Sequence, residues 1–306
     1  MNNTKFINYH AGYVAVMGRP NVGKSTLINA LLGQKITAVS PRPQTTRHQQ
    51  LGILTLEDAQ IIFIDTPGLH NPHHKLGEHM NREASNAIKN CDLILFIVDI
   101  NKFPPHQEDL ILIYLVNELK SPPPIILAMN KVDILKSKHD QENIFHHAKA
   151  YQDLLPKAQA IQISALTGEN LDLLIDTITQ SLPQGEPYYP EDQITDLYER
   201  DIAADLIREA ALIHLKDEVP HAIAIRIDEY TERNEYTVYI AATIFVEKES
   251  QKGIVIGKGG QMLKKIGSSA RREIESMSGK KVFLQLRVKV RKNWRNDENT
   301  LKNFGF

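Results

Sequence analysis

Residues 18–25 read Gly-Arg-Pro-Asn-Val-Gly-Lys-Ser, which fits the phosphate-binding pattern G-x-x-x-x-G-K-[ST]. The apolar run 13–17 before it predicts a buried strand, and the run 25–32 after it predicts a helix. The pattern requires this order, because a helix N-terminus adds free N–H groups and a positive dipole end to the loop. Lys24 is placed to reach the β- and γ-phosphates of a nucleotide, and Ser25 to bind Mg²⁺. The alternative is a glycine-rich turn with a chance Lys-Ser pair.

The chain length predicts more than one domain. With 306 residues, 42% apolar and 24% charged, the composition is that of a globular protein with two domains. We predict a nucleotide-binding domain at 1–182, an extended linker rich in proline at 183–198 and a second domain at 199–306. The single cysteine, Cys91, excludes an intramolecular disulfide and fits a reducing cytosol. No apolar run approaches the length that spans a membrane.

Apolar runs alternate with amphipathic stretches through the first 182 residues. This alternation predicts an α/β fold with a doubly wound sheet, in which ligands bind at the carboxyl ends of the strands. The predicted strands are 13–17, 50–55, 60–65, 92–99, 124–129 and 159–163. The predicted helices are 24–32, 76–89, 106–119, 140–154 and 169–181.

Two further segments carry residues that suit a metal-bound phosphate. The sequence Asp-Thr-Pro-Gly at 65–68 follows a predicted strand, where a carboxylate can hold Mg²⁺ through water and Gly68 can offer an N–H to a γ-phosphate. By itself this sequence could also be a Pro-Gly turn. The segment 40–47 holds two prolines and two threonines and predicts a loop. A threonine hydroxyl there could close on Mg²⁺, with Thr46 as our first candidate and Thr45 as the second.

A third segment, Asn-Lys-Val-Asp at 130–133, follows the predicted strand 124–129. The Asp133 carboxylate can accept hydrogen bonds from N1–H and the 2-amino group of guanine, a donor pair that adenine lacks. The alkyl stem of Lys131 can lie along the plane of the base. Ser164 and Ala165 follow the last predicted strand and have the order and spacing of a loop that contacts a base.

Together GRPNVGKS, QTTRH, DTPGL, NKVD and SAL resemble the translation-factor class of GTPases, and specifically the Era family. The resemblance implies GTP, GDP and Mg²⁺ as ligands, with Ser25, Thr46 and Asp65 at the metal. Leu69 stands where other GTPases have a water-orienting Gln. In several relatives with an apolar residue there, a P-loop asparagine helps to bind K⁺, and Asn21 matches that asparagine. The implied GTP-binding residues are Gly18, Arg19, Pro20, Asn21, Val22, Gly23, Lys24, Ser25, Thr26, Asp65, Thr66, Pro67, Gly68, Leu69, Asn130, Lys131, Val132, Asp133, Ser164 and Ala165.

The second domain is strongly basic near its end. Residues 252–295 contain 13 basic side chains and two acidic ones, a local net charge of +11 in a chain whose total is −1. This asymmetry favours a polyanion as partner over a merely solvated face. The apolar pattern predicts a helix at 201–215, strands at 222–227 and 236–245 around a polar stretch at 228–235, a helix at 261–277 and a strand at 281–290.

The order α-β-β-α-α-β, with G-x-x-G at 257–260 between two helices, resembles a type II KH domain. Glycines there let the chain approach about four nucleotides of RNA, although G-x-x-G alone also occurs in plain turns. We expect Ile254, Val255 and Ile256 to form the floor of the base groove and Trp294 to pack inside the domain. The predicted RNA-binding residues are Ile254, Val255, Ile256, Gly257, Lys258, Gly259, Gly260, Lys264, Lys265, Arg271 and Arg272.

The family resemblance extends from Tyr13 to Phe306 and implies a cytoplasmic, monomeric GTPase. Such a protein binds the 3′ region of 16S ribosomal RNA, assists maturation of the 30S small ribosomal subunit and associates loosely with the inner membrane. We expect bound GTP to order residues 40–47 and 65–74 and so to switch RNA binding. Three alternatives stay open: an RNA-binding module with a decayed nucleotide domain, a GTPase associated with RNA modification, and a GTPase of membrane trafficking.

Overall fold

The computed structural model describes residues 8–40, 46–67, 74–101, 105–135 and 138–306. The chain forms two compact units. The first unit comprises residues 1–34, 46–70 and 80–196, and the second comprises 35–45, 71–79 and 197–306.

The first unit contains a six-stranded sheet with the order β2-β3-β1-β4-β5-β6. Strand β2 is antiparallel to β3 and every other neighbouring pair is parallel. The predicted α/β fold is therefore confirmed. The strands are β1 His10–Met17, β2 Gln50–Thr55, β3 Ala59–Asp65, β4 Leu93–Asp99, β5 Ile125–Asn130 and β6 Gln159–Ile163. The helices are α1 Lys24–Leu32, α2 Lys75–Lys89, α3 Gln107–Asn117, α4 Lys138–Leu154 and α5 Leu171–Ser181.

Both faces of this sheet are covered, which explains why its central strands are continuous apolar runs. On one face, Phe96 of β4 lies in a cluster with side chains of α2, α3 and α4. Leu95 and Ile97 of the same strand point to the opposite face and are equally buried. Helix α5 contacts β1, β3 and β6. Covering helices leave the strand ends as the accessible edges, and the predicted motifs lie there.

The segment after α5 runs extended against the sheet of the first unit. Gln60 of β3 is fully buried and holds this segment. Its Oε1 accepts hydrogen bonds from the N–H groups of Tyr188 and Tyr189 at 2.7 and 2.9 Å, and its Nε2 donates to the carbonyl of Tyr189 at 2.8 Å. Further along, Thr195 pairs with Gly52 of β2, so the segment also covers the outer edge of the sheet.

The second unit contains a three-stranded sheet with the order β7-β8-β9. Strands β7 and β8 are antiparallel, and β8 and β9 are parallel. The elements are α6 Glu199–His214, β7 Ala224–Asn234, β8 Thr237–Val246, α7 Glu249–Ile256, α8 Gln261–Ser278, β9 Lys281–Val290 and α9 Glu298–Asn303. The two strands predicted around the polar stretch 228–235 form an antiparallel pair, but the first is longer than predicted, because β7 continues through that stretch to Asn234. Polar residues in this stretch suit a strand with a solvent-facing side.

The helices of this unit pack on one face of its sheet. Ile240 and Ile244 of β8 form the core with Ile207 of α6 and Ile266 of α8. Trp294 is fully buried, donates from its indole N–H to the carbonyl of Ala222 at 2.9 Å and contacts the ring of Phe304. The expectation that Trp294 packs inside the domain is confirmed. Among the described helices, none is long and apolar enough to cross a bilayer.

We predict that Gln60→Ala lowers the free energy of unfolding by about 2–3 kcal/mol, because it leaves two backbone N–H groups of the linker unsatisfied. Urea unfolding followed by circular dichroism measures the change. Gln162→Ala on the exposed side of β6 is the matched control and shifts stability by less than about 0.5 kcal/mol. Equal stabilities of the two variants would show that the amide does not hold the linker.

Candidate nucleotide and nucleic-acid sites

The loop at 18–25 connects β1 to α1, as its pattern requires. Gly23 has a φ of +107°, and a Cβ atom at this position would lie 2.3 Å from Nδ2 of Asn130. Only glycine therefore fits between the loop and the end of β5. Asn21 also has a positive φ of 65°, a conformation that asparagine tolerates better than most residues.

Lys24 lies inside this loop. Its ammonium donates to the carbonyl oxygens of Gly18 and Arg19 at 2.8 and 3.2 Å. Burial lowers the pKa of Lys24, and the negative charge of Asp65 partly opposes this effect. A buried ammonium held by loop carbonyls is placed to bind phosphate oxygens that enter the loop.

The three predicted Mg²⁺ ligands lie together. The hydroxyl groups of Ser25 and Thr46 donate to Oδ2 of Asp65 at 3.2 and 3.0 Å, and the two hydroxyl oxygens lie 3.3 Å apart. Asp65 is fully buried, which raises its pKa. Its other oxygen, Oδ1, is buried without a hydrogen-bond partner in the described part of the chain. An unsatisfied buried carboxylate oxygen beside two hydroxyl groups is a donor set that fits Mg²⁺.

The side chain of Asn130 joins three loops at the opposite end of the site. Its Nδ2 donates to the carbonyl of Val22 at 2.8 Å. Its Oδ1 accepts from the N–H of Lys131 at 2.8 Å and from the N–H of Ala165 at 2.9 Å. The side chain is buried, so Asn130 fixes the positions of the predicted phosphate and base loops relative to each other.

Lys131 connects the P-loop to the end of β4 at a more exposed position. Its ammonium donates to the carbonyl of Asn21 at 2.8 Å and to Asp99 at 2.9 Å. Burial opposes ionisation of Asp99, but the hydrogen bond and charge of Lys131 outweigh it and lower the pKa of Asp99. Asp99 was not predicted, because a single acid at a strand end has no sequence signature.

Asp133 is held by Ser164, whose hydroxyl group donates to Oδ1 of Asp133 at 2.6 Å. A carboxylate has about four acceptor positions, so the bond to Ser164 orients it and leaves capacity for a base. Ser164 is fully buried. The structure therefore gives Ser164 the role of positioning Asp133.

Two further predicted residues of the nucleotide site, Val22 and Thr66, have buried side chains. The side chain of Val22 is buried, so only its backbone can face a ligand. Thr66 is also buried, and its hydroxyl donates to the carbonyl of Val16 at 2.9 Å, which ties the end of β3 to β1. Gly68, Leu69 and the second threonine candidate, Thr45, lie outside the described residues.

Arg19 of the P-loop has a buried carboxylate partner. Its Nε lies 3.4 Å from Oδ2 of Asp109 in α3, and Tyr151 of α4 donates to the same oxygen at 2.7 Å. Burial raises the pKa of both Asp109 and Tyr151. This cluster anchors the loop to two helices, and no local pattern predicted it because the three residues are far apart in sequence.

In the second unit, the G-x-x-G segment connects α7 to α8. Gly257 has a φ of +72°, and a Cβ atom there would lie 2.7 Å from Cβ of Met262. Glycine therefore permits the sharp turn between the helices. Lys258, at the tip of the turn, is exposed and can reach a phosphate.

A groove of about 550 Å³ begins at this turn and runs between α8 and β9. On the helix side, Gly260, Lys264 and Arg271 line it. Lys265 and Arg272 are exposed but lie one position further around α8, outside the lining. The strand side was not predicted, and its lining residues are Tyr239, Val282, Phe283, Leu284, Gln285 and Leu286.

The prediction that residues 254–256 form the floor of the groove is wrong for Val255. Val255 is fully buried in the core with α6 and α8, while Ile254 is half exposed. The three residues lie in helix α7, where successive side chains point in different directions. Val255 therefore cannot contact RNA.

Comparison with protein families gives two matches. Residues 13–131 match the family described as 50S ribosome-binding GTPase, and residues 218–295 match the KH domain family. GTPase Era of Ruminiclostridium cellulolyticum is 45% identical over 300 residues, which cover 98% of each chain. GTPase Era of Geobacter metallireducens is 47% identical over 97% of this chain and 98% of its own.

Solved structures agree with these relatives. A crystal structure of Era in complex with MgGDPNP and nucleotides 1506–1542 of 16S ribosomal RNA is 40% identical, has a TM-score of 0.90 and covers 97% of this chain and 99% of its own. A variant of Aquifex aeolicus Era bound to GDP and AlF4⁻ matches with a TM-score of 0.89 and 40% identity over the same shares.

We predict that Asn130→Ala weakens GDP binding at least about tenfold, because two loops lose a shared buried partner. Isothermal titration calorimetry measures the affinity. Asn90→Ala is the matched control, since Asn90 is exposed and its side chain donates to the nearby carbonyl of Asn86. Unchanged GDP affinity in the Asn130 variant would contradict the joining role of this side chain.

Proposed function

Because the chain belongs to the Era family of GTPases, we propose that its second unit binds the 3′ region of 16S ribosomal RNA and that the bound nucleotide controls this binding. The observation that carries the proposal is the groove beside the G-x-x-G turn, which is lined by Lys264 and Arg271. Its basic rim suits phosphates and its apolar strand side suits unstacked bases.

The first unit is a GTPase, and its residues have distinct roles toward GTP. Lys24 binds the phosphates, and Asp133, oriented by Ser164, selects guanine by accepting from its two adjacent donors. Ser25, Thr46 and Asp65 would hold Mg²⁺, which when bound neutralises charge on the β- and γ-phosphate oxygens. Thr46 belongs to the loop before β2 and bonds to Asp65 at the Mg²⁺ site. A change of nucleotide at that site therefore changes the contacts that hold this loop.

Leu69 bears on the rate of hydrolysis, since a hydrocarbon side chain cannot orient the attacking water as glutamine does. We propose that K⁺ supplies positive charge beside the phosphates, with Asn21 as one ligand. GTP hydrolysis is then at least about tenfold faster in KCl than in NaCl at equal ionic strength. Equal rates in the two salts would contradict this role of K⁺.

We propose that RNA binding by the G-x-x-G groove brings the protein to the small ribosomal subunit, where it assists maturation. This step rests on the family and on the ribosomal RNA bound by the solved Era complex. The loose association with the inner membrane stays a prediction from resemblance, as does the monomeric state.

We predict that Asp133→Asn changes the nucleotide preference of the first unit from guanine to xanthine. The amide donates where the carboxylate accepts, so it repels the 2-amino group of guanine and suits the 2-carbonyl of xanthine. Affinity for GDP falls at least about 100-fold and affinity for XDP rises, as measured by competition with a fluorescent nucleotide. Asp153→Asn, in the exposed part of α4, is the control and leaves both affinities unchanged. Retained preference for GDP in the Asp133 variant would rule out this carboxylate as the guanine reader.

We predict that Lys258→Ala weakens binding of the 1506–1542 RNA segment and makes it less dependent on salt. Each lost phosphate contact on single-stranded RNA lowers the slope of log K against log [salt] by about 0.7. Fluorescence anisotropy from 50 to 300 mM KCl measures the slope. Lys157→Ala, an exposed lysine of the first unit, is the control. A Lys258 variant with an unchanged slope would show that RNA does not reach the G-x-x-G turn.

A further inference from the structure

The sheet of the second unit has one face turned away from its helices. Along β8, Val238, Ile240, Ala242 and Ile244 lie in the core under the helices. The alternating residues Tyr239, Ala241, Thr243 and Phe245 point to the other side. Strand β9 runs parallel to β8 with Phe283 opposite Tyr239 and Lys289 opposite Phe245, so its outward residues share this face.

The C-terminal segment covers one end of this outward face. The ring of Phe304 lies 4.8 Å from that of Phe245, measured between centroids. The guanidinium of Arg226 lies 5.1 Å from the centroid of Phe245. Phe245 is accordingly buried, and no site is available at this end.

The other end carries an ordered but exposed group, which we call the aromatic platform: Arg233, Tyr239, Phe283 and Gln285. The guanidinium of Arg233 lies 4.8 Å from the ring centroid of Tyr239 and 5.9 Å from that of Phe283. The Tyr239 hydroxyl donates to Oε1 of Gln285 at 2.6 Å. Phe283 nevertheless keeps 58% of its surface exposed. These contacts hold the rings in place while leaving an aromatic surface in solvent.

The charges around the platform are mostly positive. The outward residues of β9 are Lys281, Phe283, Gln285, Arg287 and Lys289, which include three cations and no acid. On β7, Glu232 forms an ion pair with Lys280 at 3.0 Å, Glu229 lies on the outward face, and Asp228 accepts from the outward Thr243 and pairs with Arg226. Strand β9 therefore presents a cationic edge beside an aromatic surface, which suits a ligand that has both phosphates and flat rings.

The platform is continuous with the groove of the proposed RNA site. Tyr239, Phe283 and Gln285 line that groove together with Lys264 and Arg271 of α8. A second recess of about 480 Å³ begins at Arg271 and Phe283 and extends to Lys280 and Lys281, with Glu275 as its one acidic lining residue. A strand that leaves the groove can thus pass Phe283 along a surface on which cations outnumber acids.

We propose that the aromatic platform is a second contact for the same RNA strand, at which Phe283 stacks on an unpaired base beyond the nucleotides held at the G-x-x-G turn. The inference rests on the proposed RNA binding and extends it from the groove onto the outward face of the sheet. Base stacking on exposed aromatic side chains tolerates any sequence, so the platform adds affinity and sets the length of the bound segment.

The test compares wild type with Phe283→Ala on a nested series of RNAs, shortened from either end of the 1506–1542 segment. We expect Phe283→Ala to lower the affinity of the full chain for the longest RNA by about tenfold, as measured by anisotropy titration. The difference vanishes once truncation removes the stacked nucleotide. Phe283→Trp, which keeps a stacking ring, retains wild-type affinity. Phe145→Ala is the matched control, because Phe145 in the first unit is 68% exposed.

Fluorescence of Trp294, the single tryptophan of the wild type, verifies that the second unit of the Phe283→Ala variant stays folded, and circular dichroism does so for Phe283→Trp, which carries a second indole. Equal affinities of wild type and Phe283→Ala for every RNA would overturn the platform while leaving groove binding intact. The proposal would also be overturned if Phe283→Ala lost as much affinity for the shortest RNA as for the longest, because Phe283 would then act within the groove alone. If wild type binds no RNA of the series, the proposed RNA function itself fails.

Discussion

The buried amide of Asn130 is the interaction on which the nucleotide site depends. It binds the P-loop through Val22, its own loop through Lys131 and the loop after β6 through Ala165. These loops leave the ends of different parallel strands, so the sheet alone brings them to one edge without fixing their spacing. A single side chain with one donor and one acceptor group fixes it. The absent Cβ of Gly23 leaves the room that this amide needs.

The same site concentrates buried charge. Lys24, Asp65 and Asp109 are all buried ionisable groups, and burial disfavours the charged form of each one. Asp65 also keeps an oxygen without a hydrogen-bond partner among the described residues. Lys24 and Asp65 cost stability in the free protein and are compensated when phosphates and a metal ion bind, whereas Asp109 is already paired with Arg19 and Tyr151. We therefore expect the first unit to gain much of its rigidity from the nucleotide.

Local patterns predicted the α/β fold and the segments that carry the candidate nucleotide site, because each motif lies within one strand-loop-helix segment. Ser25, Thr46 and Asp65 were assigned from three such segments and do meet. Asp109 was not predicted, because its partners, Arg19 and Tyr151, are distant in sequence. Val255 was misplaced because an apolar triplet before the G-x-x-G turn does not show which of its side chains face the core, and helix α7 turns the middle one inward. The strand side of the groove depends on β9 packing beside α8, which no local pattern contains.

The nucleotide site and the RNA site lie in separate units of the chain. Nucleotide control of RNA binding therefore requires a coupling between the two sites. Coupled sites must change each other's affinity by the same factor, and a functional switch requires a factor of about five or more. The most direct measurement is the dissociation constant of the 1506–1542 RNA segment, determined with saturating GDPNP and with saturating GDP under the same Mg²⁺ and salt. We predict that the two dissociation constants differ at least about fivefold between the two nucleotide states. Identical constants would contradict nucleotide control.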